Sequence, residues 1–310
     1  MNFPGVLPSP LQAIGGTPVV RLRRVVPAGA AEVLVKIEGG NPTGSYKDRM
    51  ALAMIEGAER RGELTPGRRV VEFTGGSTGS SLAFVCAVKG YPLSVVSSDA
   101  FSPEKLRTMR AFGADLTVVP SDGGRVTPDL FDRMRAEVER VVERDGAFWT
   151  DQFNNTDALD GYTALGQEIV DQAGAVDAFC GAVGTGGMLT GVAAVLRAAG
   201  EVRVVALEPA TSPVLTKGTN GPHTVEGTAT GAVPPLLRSG GYDQALAIDE
   251  PEARELALRL VREEGVFAGT SSALNVLGAI QVGQELGAGH TVVTVAADTG
   301  LKYLAGSLFA

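Results

Sequence analysis

The chain has 310 residues, 44% hydrophobic and 20% charged, with a mean hydropathy of +0.13, which excludes a largely disordered polypeptide. Its 27 basic and 35 acidic residues give a net charge of −8, the wrong sign for a nucleic-acid or anionic-membrane binder. Two cysteines and two histidines exclude a disulfide framework and leave almost no material for a metal site.

In chain order, short β-branched runs predict strands at 33–38 (VLVKIE), 69–74 (RVVEFT), 93–98 (LSVVSS), 116–120 (LTVVP), 176–183 (VDAFCGAV), 202–208 (VRVVALE) and 291–297 (TVVTVAA). Between them, Ser102-Pro103 opens a helix that Gly113 closes. Thr127-Pro128 opens another, with Leu130, Met134, Val138, Val141 and Val142 on one apolar face, and 250–265 repeats the pattern. Strands apolar on both faces, alternating with helices, imply an α/β fold of parallel sheets covered on each side. The segment 146–161 holds the only Trp and has no clear period, so the chain is expected to cross between two lobes there. Cys86 and Cys180 lie in apolar runs and read as buried, inert thiols. No run approaches the roughly 18 apolar residues of a membrane span, and the first residues carry no signal pattern, so a cytoplasmic protein is expected.

Forty-one glycines, about twice ordinary usage, concentrate attention on three turns. In NPTGSYKDR (41–49), Ser45 and Asp48 have capping-box spacing and place Lys47 in a first helical turn. A helix N-terminus disfavours a cation and favours the neutral amine that a Schiff-base lysine needs; a solvated surface lysine is the alternative. The turn Thr74-Gly75-Gly76-Ser77-Thr78-Gly79 follows a strand and feeds a helix, a setting for a carboxylate or phosphate. It also matches G-x-S-x-G, the nucleophile elbow of serine hydrolases, for which His223 is the one candidate base, since His290 precedes its strand at the amino edge. The turn Gly184-Thr185-Gly186-Gly187-Met188 fits a phosphate monoester better than a pyrophosphate, because Leu189 stands where G-x-G-x-x-G wants glycine; a plain tight turn is the alternative.

Together with IGGTPVVRL (14–22), Gln152-Phe153, EPATSPVL (208–215) and DTGLKYL (298–304), these turns resemble the fold-type II pyridoxal-phosphate enzymes. The closest likeness is to the cysteine synthase (O-acetylserine sulfhydrylase) and cystathionine β-synthase family. The resemblance implies two lobes, each a mostly parallel twisted sheet flanked by helices. It puts 41–149 in a smaller lobe, 1–40 plus 150–310 in a larger one, and the cofactor in the cleft between them. It implies that Lys47 forms the Schiff base, that Gly184, Thr185, Gly186, Gly187 and Met188 hold the phosphate, and that Thr299 faces the pyridine nitrogen. Thr74, Gly75, Gly76, Ser77, Thr78 and Gln152 would bind the substrate carboxylate, with Ser77 also near the cofactor's phenolic oxygen.

The implied reaction is β-replacement on an O-activated L-serine, O-acetylserine or similar, by sulfide to give L-cysteine through an aminoacrylate. Cystathionine synthesis and β-elimination (dehydratase or desulfhydrase chemistry) stand as alternatives, and the serine hydrolase at Ser77 as one of another class. The implied partners are an amino-acid substrate, a thiol or sulfide, and a second copy of the chain. Two departures stand out: the family's turn usually reads T-S-G-N-T-G, where this chain has Gly75 and Ser77, and its phosphate turn usually ends in Thr rather than Met188.

Overall fold

The computed structural model describes residues 5–124, 127–228, 230–237 and 241–310. In chain order the strands are β1 (Val19–Arg21), β2 (Glu32–Ile37), β3 (Val70–Phe73), β4 (Leu93–Ser98), β5 (Asp115–Val119), β6 (Phe148–Trp149), β7 (Ala178–Ala182), β8 (Arg203–Pro209), β9 (Gln244–Ile248) and β10 (Thr291–Ala296). The helices are α1 (Lys47–Arg60), α2 (Ser77–Lys89), α3 (Pro103–Ala111), α4 (Pro128–Asp145), α5 (Ala158–Ala173), α6 (Gly187–Ala199), α7 (Val214–Lys217), α8 (Glu250–Arg259) and α9 (Thr270–Leu286).

The chain forms two units. The first holds the described residues up to Gly16 with Asn41–Ala158, and the second holds Thr17–Gly40 with Leu159–Ala310. Residues 5–16 and 150–158 therefore group with the smaller unit, against the boundaries drawn from sequence. Hydrogen bonds account for this: Gly15 N–H donates to Asn41 Oδ1 at 2.9 Å, and the Thr150 hydroxyl and Gln152 N–H both reach Glu72 on β3.

The first unit has a four-stranded parallel sheet in the order β5-β4-β3-β6. One face is covered by α4, whose Leu130, Met134, Val138 and Val141 are buried against Val71, Phe73 and Val96. Their spacing of three and four residues is the apolar stripe read from sequence, and each such burial contributes roughly 1.5–3 kcal/mol. Gly146 ends this helix in the left-handed region at φ 62°.

The second unit has a six-stranded sheet in the order β1-β2-β10-β7-β8-β9, parallel except for β1 against β2. Helix α9 packs against β2, β7, β8 and β10. It is buried over most of its length, so its sequence carries no amphipathic period. The closeness is visible at Gly278, where a Cβ would come within 2.6 Å of Leu207. The α/β class and the two parallel-stranded sheets follow the sequence-based expectation.

Truncating the α4 stripe leaves a cavity under β3. Met134→Ala is expected to cost about 2–5 kcal/mol in denaturant unfolding, whereas Arg140→Ala on the exposed face should change stability by less than about 0.5 kcal/mol.

Candidate active site

In parallel sheets the chain leaves each strand at a common edge, and the turns there feed helix N-termini. In the first unit, the segment before α1 is a tight turn with Gly44 N–H donating to Asn41 O at 2.7 Å and Gly44 at φ 74°. Lys47 is the first residue of α1 and is 8% exposed, so it is not a solvated surface lysine. Ser45 Oγ accepts from Lys47 N–H at 3.2 Å, while the Asp48 carboxylate takes the N–H and hydroxyl of Thr43 at 2.8 and 2.5 Å. Asp48 thus braces the loop, and Thr43 lies 3.3 Å from the hydroxyl of Ser81 on α2, tying the Lys47 loop to that helix.

The turn between β3 and α2 runs close beneath its neighbours. Thr74 N–H extends the ladder to Val96 O at 2.9 Å, and Thr74 Oγ1 accepts from Gly76 N–H at 3.1 Å. A Cβ on Gly75 would come 2.6 Å from the Phe101 ring, and one on Gly76 would come 2.5 Å from the stem of the buried Lys105. Phe101 thus fills the volume into which the related serine would project, and the glycine answers to that packing. Ser77 opens α2, and the Thr78 hydroxyl donates to Gln152 Oε1 at 2.8 Å. Gln152 Nε2 donates to Phe73 O at 3.0 Å, leaving its second N–H for a ligand. Gln152 and the turn are therefore brought together within one unit.

In the second unit, β2, β10 and β7 are adjacent and parallel, so their carboxyl ends share one edge. From β7 the chain passes through Gly184, Thr185 and Gly186 into α6, with Gly186 at φ 82°, in the region that favours glycine. The first-turn N–H groups of α6 have no intrahelical acceptors and form an anion cradle beside the buried Thr185. Met188 is also buried: its methyl lies where a Cβ on Gly181 would come within 2.7 Å. Its side chain packs on β7, so toward an anion at the α6 N-terminus Met188 could offer only its backbone N–H. At the end of β10, Thr299 caps a short 3-10 turn by accepting from Leu301 N–H at 3.3 Å, which leaves its hydroxyl proton to be donated. Gly39, after β2, runs against Thr299, where a Cβ would come within 3.3 Å of its backbone nitrogen.

Two features of this edge were not anticipated. Asn275 on α9 accepts from Ala182 N–H at 2.7 Å and donates to Val295 O at 2.8 Å, so one buried amide fixes the ends of β7 and β10 side by side. Gly227 and Leu237 wall in the turn, with Gly227 O 2.3 Å from where a Cβ on Gly184 would lie. The cluster of glycines in GTNGPHTVEG was the one sign of such an approach. Cys86 and Cys180 are buried as expected; burial pushes the Cys86 thiol up to about 12 and the Cys180 thiol further still. Among the described residues no group of acidic, His or Cys side chains could hold a metal ion.

The donor set fits pyridoxal phosphate. The α6 N-terminus with Thr185 suits a phosphate dianion, the buried amine of Lys47 suits an aldehyde, and the Thr299 hydroxyl suits an unprotonated ring nitrogen.

The chain is similar to known proteins along its length. The family described as "Pyridoxal-phosphate dependent enzyme" matches residues 10–298. A cysteine synthase of Staphylococcus aureus (strain Mu50 / ATCC 700699) is 41% identical over 305 residues, covering 96% of both chains. Among solved structures, O-ureido-L-serine synthase is 37% identical with a TM-score of 0.90, covering 98% of this chain and 96% of that one. A cysteine synthase from Entamoeba histolytica is 30% identical with a TM-score of 0.90, covering 100% and 93%.

The Gly75–Phe101 contact is testable by a double-mutant cycle. Gly75→Ser is expected to destabilise by about 1–3 kcal/mol, and adding Phe101→Ala should recover part of that loss rather than add its own full cost. Denaturant unfolding of the four proteins reads the coupling.

Proposed function

The chain belongs to the family of pyridoxal-phosphate dependent enzymes, and from that premise we propose that it catalyses β-replacement on O-acetyl-L-serine by sulfide, giving L-cysteine and acetate. The observation that carries this reading is the 41% identity to a cysteine synthase across 96% of both chains. Bound pyridoxal phosphate supplies an aldehyde for amino groups and an electron sink that acidifies the substrate Cα–H. In this reading Lys47 supplies the amine, the Thr74–Gly79 turn with Gln152 the amino-acid subsite, the α6 N-terminus the phosphate cradle and Thr299 the ring-nitrogen partner.

Lys47 Nζ would hold the cofactor through its aldehyde, and its amine would take the proton from the substrate Cα as acetate leaves Cβ with the Cβ–O bonding pair, then return that proton to Cα when sulfide forms the new Cβ–S bond. The N–H groups of Gly75 and Thr78 and the second Nε2–H of Gln152 bind the substrate carboxylate, which orients Cα–H toward Lys47. Thr299 donates a neutral hydroxyl bond and does not hold the ring nitrogen protonated as a carboxylate would. The sink is correspondingly weaker, which suits a substrate with a good leaving group at Cβ. The resemblance also implies a cytoplasmic homodimer. Among the described residues no helix is long and apolar enough to cross a membrane.

A second reading keeps the same first half-reaction and changes the nucleophile. It is favoured by the likeness to O-ureido-L-serine synthase and by the altered turn at Gly75 and Ser77. No observation favours the serine-hydrolase reading at Ser77; of the chain's two histidines, His290 lies 3.1 Å from Asp177.

The visible absorption spectrum of the cofactor-loaded protein tests the reading. O-acetyl-L-serine is expected to shift the band and sulfide to restore it, with cysteine formed. A band that ignores O-acetyl-L-serine overturns this substrate, and restoration by a nucleophile other than sulfide selects the second reading. Lys47→Ala is expected to lose the borohydride-reducible link and roughly 10²–10⁴-fold in rate. Ser77→Ala should alter the spectrum or rate while leaving any esterase background unchanged.

A further inference from the structure

Glu72 lies on β3, two residues before the Thr74–Gly79 turn, and is fully buried, although no step of the proposed reaction uses its carboxylate. Four donors converge on it. Oε1 accepts from Phe73 N–H at 2.9 Å and Trp149 Nε1–H at 3.2 Å. Oε2 accepts from the Thr150 hydroxyl at 2.7 Å and Gln152 N–H at 2.9 Å. Three of the four belong to the stretch 149–152. Between Thr150 and Gln152 stands Asp151 at φ 45°, the one non-glycine residue with positive φ among those described. Its carbonyl accepts from Asn154 and Asn155 N–H at 3.0 and 2.9 Å. A residue in that region persists only where its surroundings over-determine it, and here the bonds on either side lead to Glu72.

From Gln152 the connection continues to the Thr78 hydroxyl and to Phe73 O, so a single buried carboxylate, one strained turn and the amino-acid subsite form one hydrogen-bonded unit. We propose that Glu72 is a positioning residue for substrate: its carboxylate fixes the turn at Thr150–Gln152 and thereby orients Gln152 and Thr78 toward the substrate carboxylate. This rests on the proposed function only in assigning that subsite to Gln152 and Thr78.

The chemistry of the four bonds gives the proposal a signature. All four partners donate to the carboxylate, and only Thr150 could turn its oxygen to accept a proton from a neutral carboxyl group. The network therefore requires the ionised form, while burial opposes it and raises the group to about 7, the four hydrogen bonds pulling the other way. No charged side chain is among the causes. Arg69 at the start of the strand pairs with Asp115 and Asp145, Arg135 of α4 lies over the Phe73 ring at 6.0 Å, and Lys89 of α2 pairs with Glu56 and Glu59. Cys86, also on α2, has its own thiol pushed up by burial, and the β4 residue opposite is the apolar Val95. As pH falls through 7, Glu72 takes up a proton, one of the four bonds must reverse, and the subsite loosens.

The test uses cofactor-loaded protein and titrates the visible band with O-acetyl-L-serine, L-cysteine and L-serine, which share the same carboxylate. Glu72→Gln is expected to raise the dissociation constants about ten-fold while changing kcat less than about three-fold, with the apoprotein's unfolding midpoint within a few degrees of wild type. Between pH 6 and 8, wild-type binding should weaken toward low pH more steeply than that of the variant. Should Glu72→Gln not fold, Thr150→Val removes one donor and is expected to weaken binding about three-fold, and Thr150→Ser, which keeps the hydroxyl, to restore it. Wild-type dissociation constants and pH profiles in these variants, or a joint loss of fold, cofactor and kcat with no selective change in binding, overturn the proposal. Failure of the cysteine synthase reading shows separately, as wild-type protein that binds the amino acids without turning over O-acetyl-L-serine.

Discussion

The unsatisfied N–H groups at the start of a helix, delivered to the carboxyl edge of a parallel sheet, are the constraint around which both units are organised. Such an end attracts an anion and tolerates no bulk in front of it. It explains why glycines crowd the turns after β3 and β7 and why Gly186 adopts a positive φ. The same field acts at α1, where it disfavours a cation at the first residue, and Lys47 stands there.

The turns at these helix starts are held in place by buried polar side chains rather than by the turns themselves. Asn275 clamps β7 to β10 through two backbone groups, so the cradle before α6 and the cap at Thr299 keep a fixed spacing. Glu72 does the equivalent for the first unit by gathering the stretch 149–152 against β3. Each is costly to bury and harmless only when every bond is made, which makes such groups rigid supports.

The two departures from the family's motifs differ in kind. Met188 lacks the hydroxyl of the family's usual Thr, and its side chain fills space beside Gly181. That exchange belongs to core packing. Gly75 loses a hydroxyl on the side of the turn that Phe101 occupies, so a new side chain there has to displace an aromatic ring packed among Val71, Phe73 and Leu130. That exchange alters the turn itself, because any side chain at position 75 competes with Phe101.

The sequence by itself determined the α/β class, most strands of both sheets and the amphipathic α4, because alternation, β-branched runs and a stripe at 130, 134, 138 and 141 are local patterns. It also singled out Lys47 and the three turns, since glycine, serine and threonine at a strand-to-helix junction have few other uses. Only the tertiary structure decided what depends on partners distant in sequence. α9 is buried nearly all round and shows no period, and β6 is two residues long. Asp48 also bonds Thr43 in the preceding loop, and the unit boundary moves past Gln152 because Glu72, eighty residues earlier, holds it. A hydrogen bond across such a separation leaves no periodic trace, so only the folded chain shows which buried polar residue supports which turn.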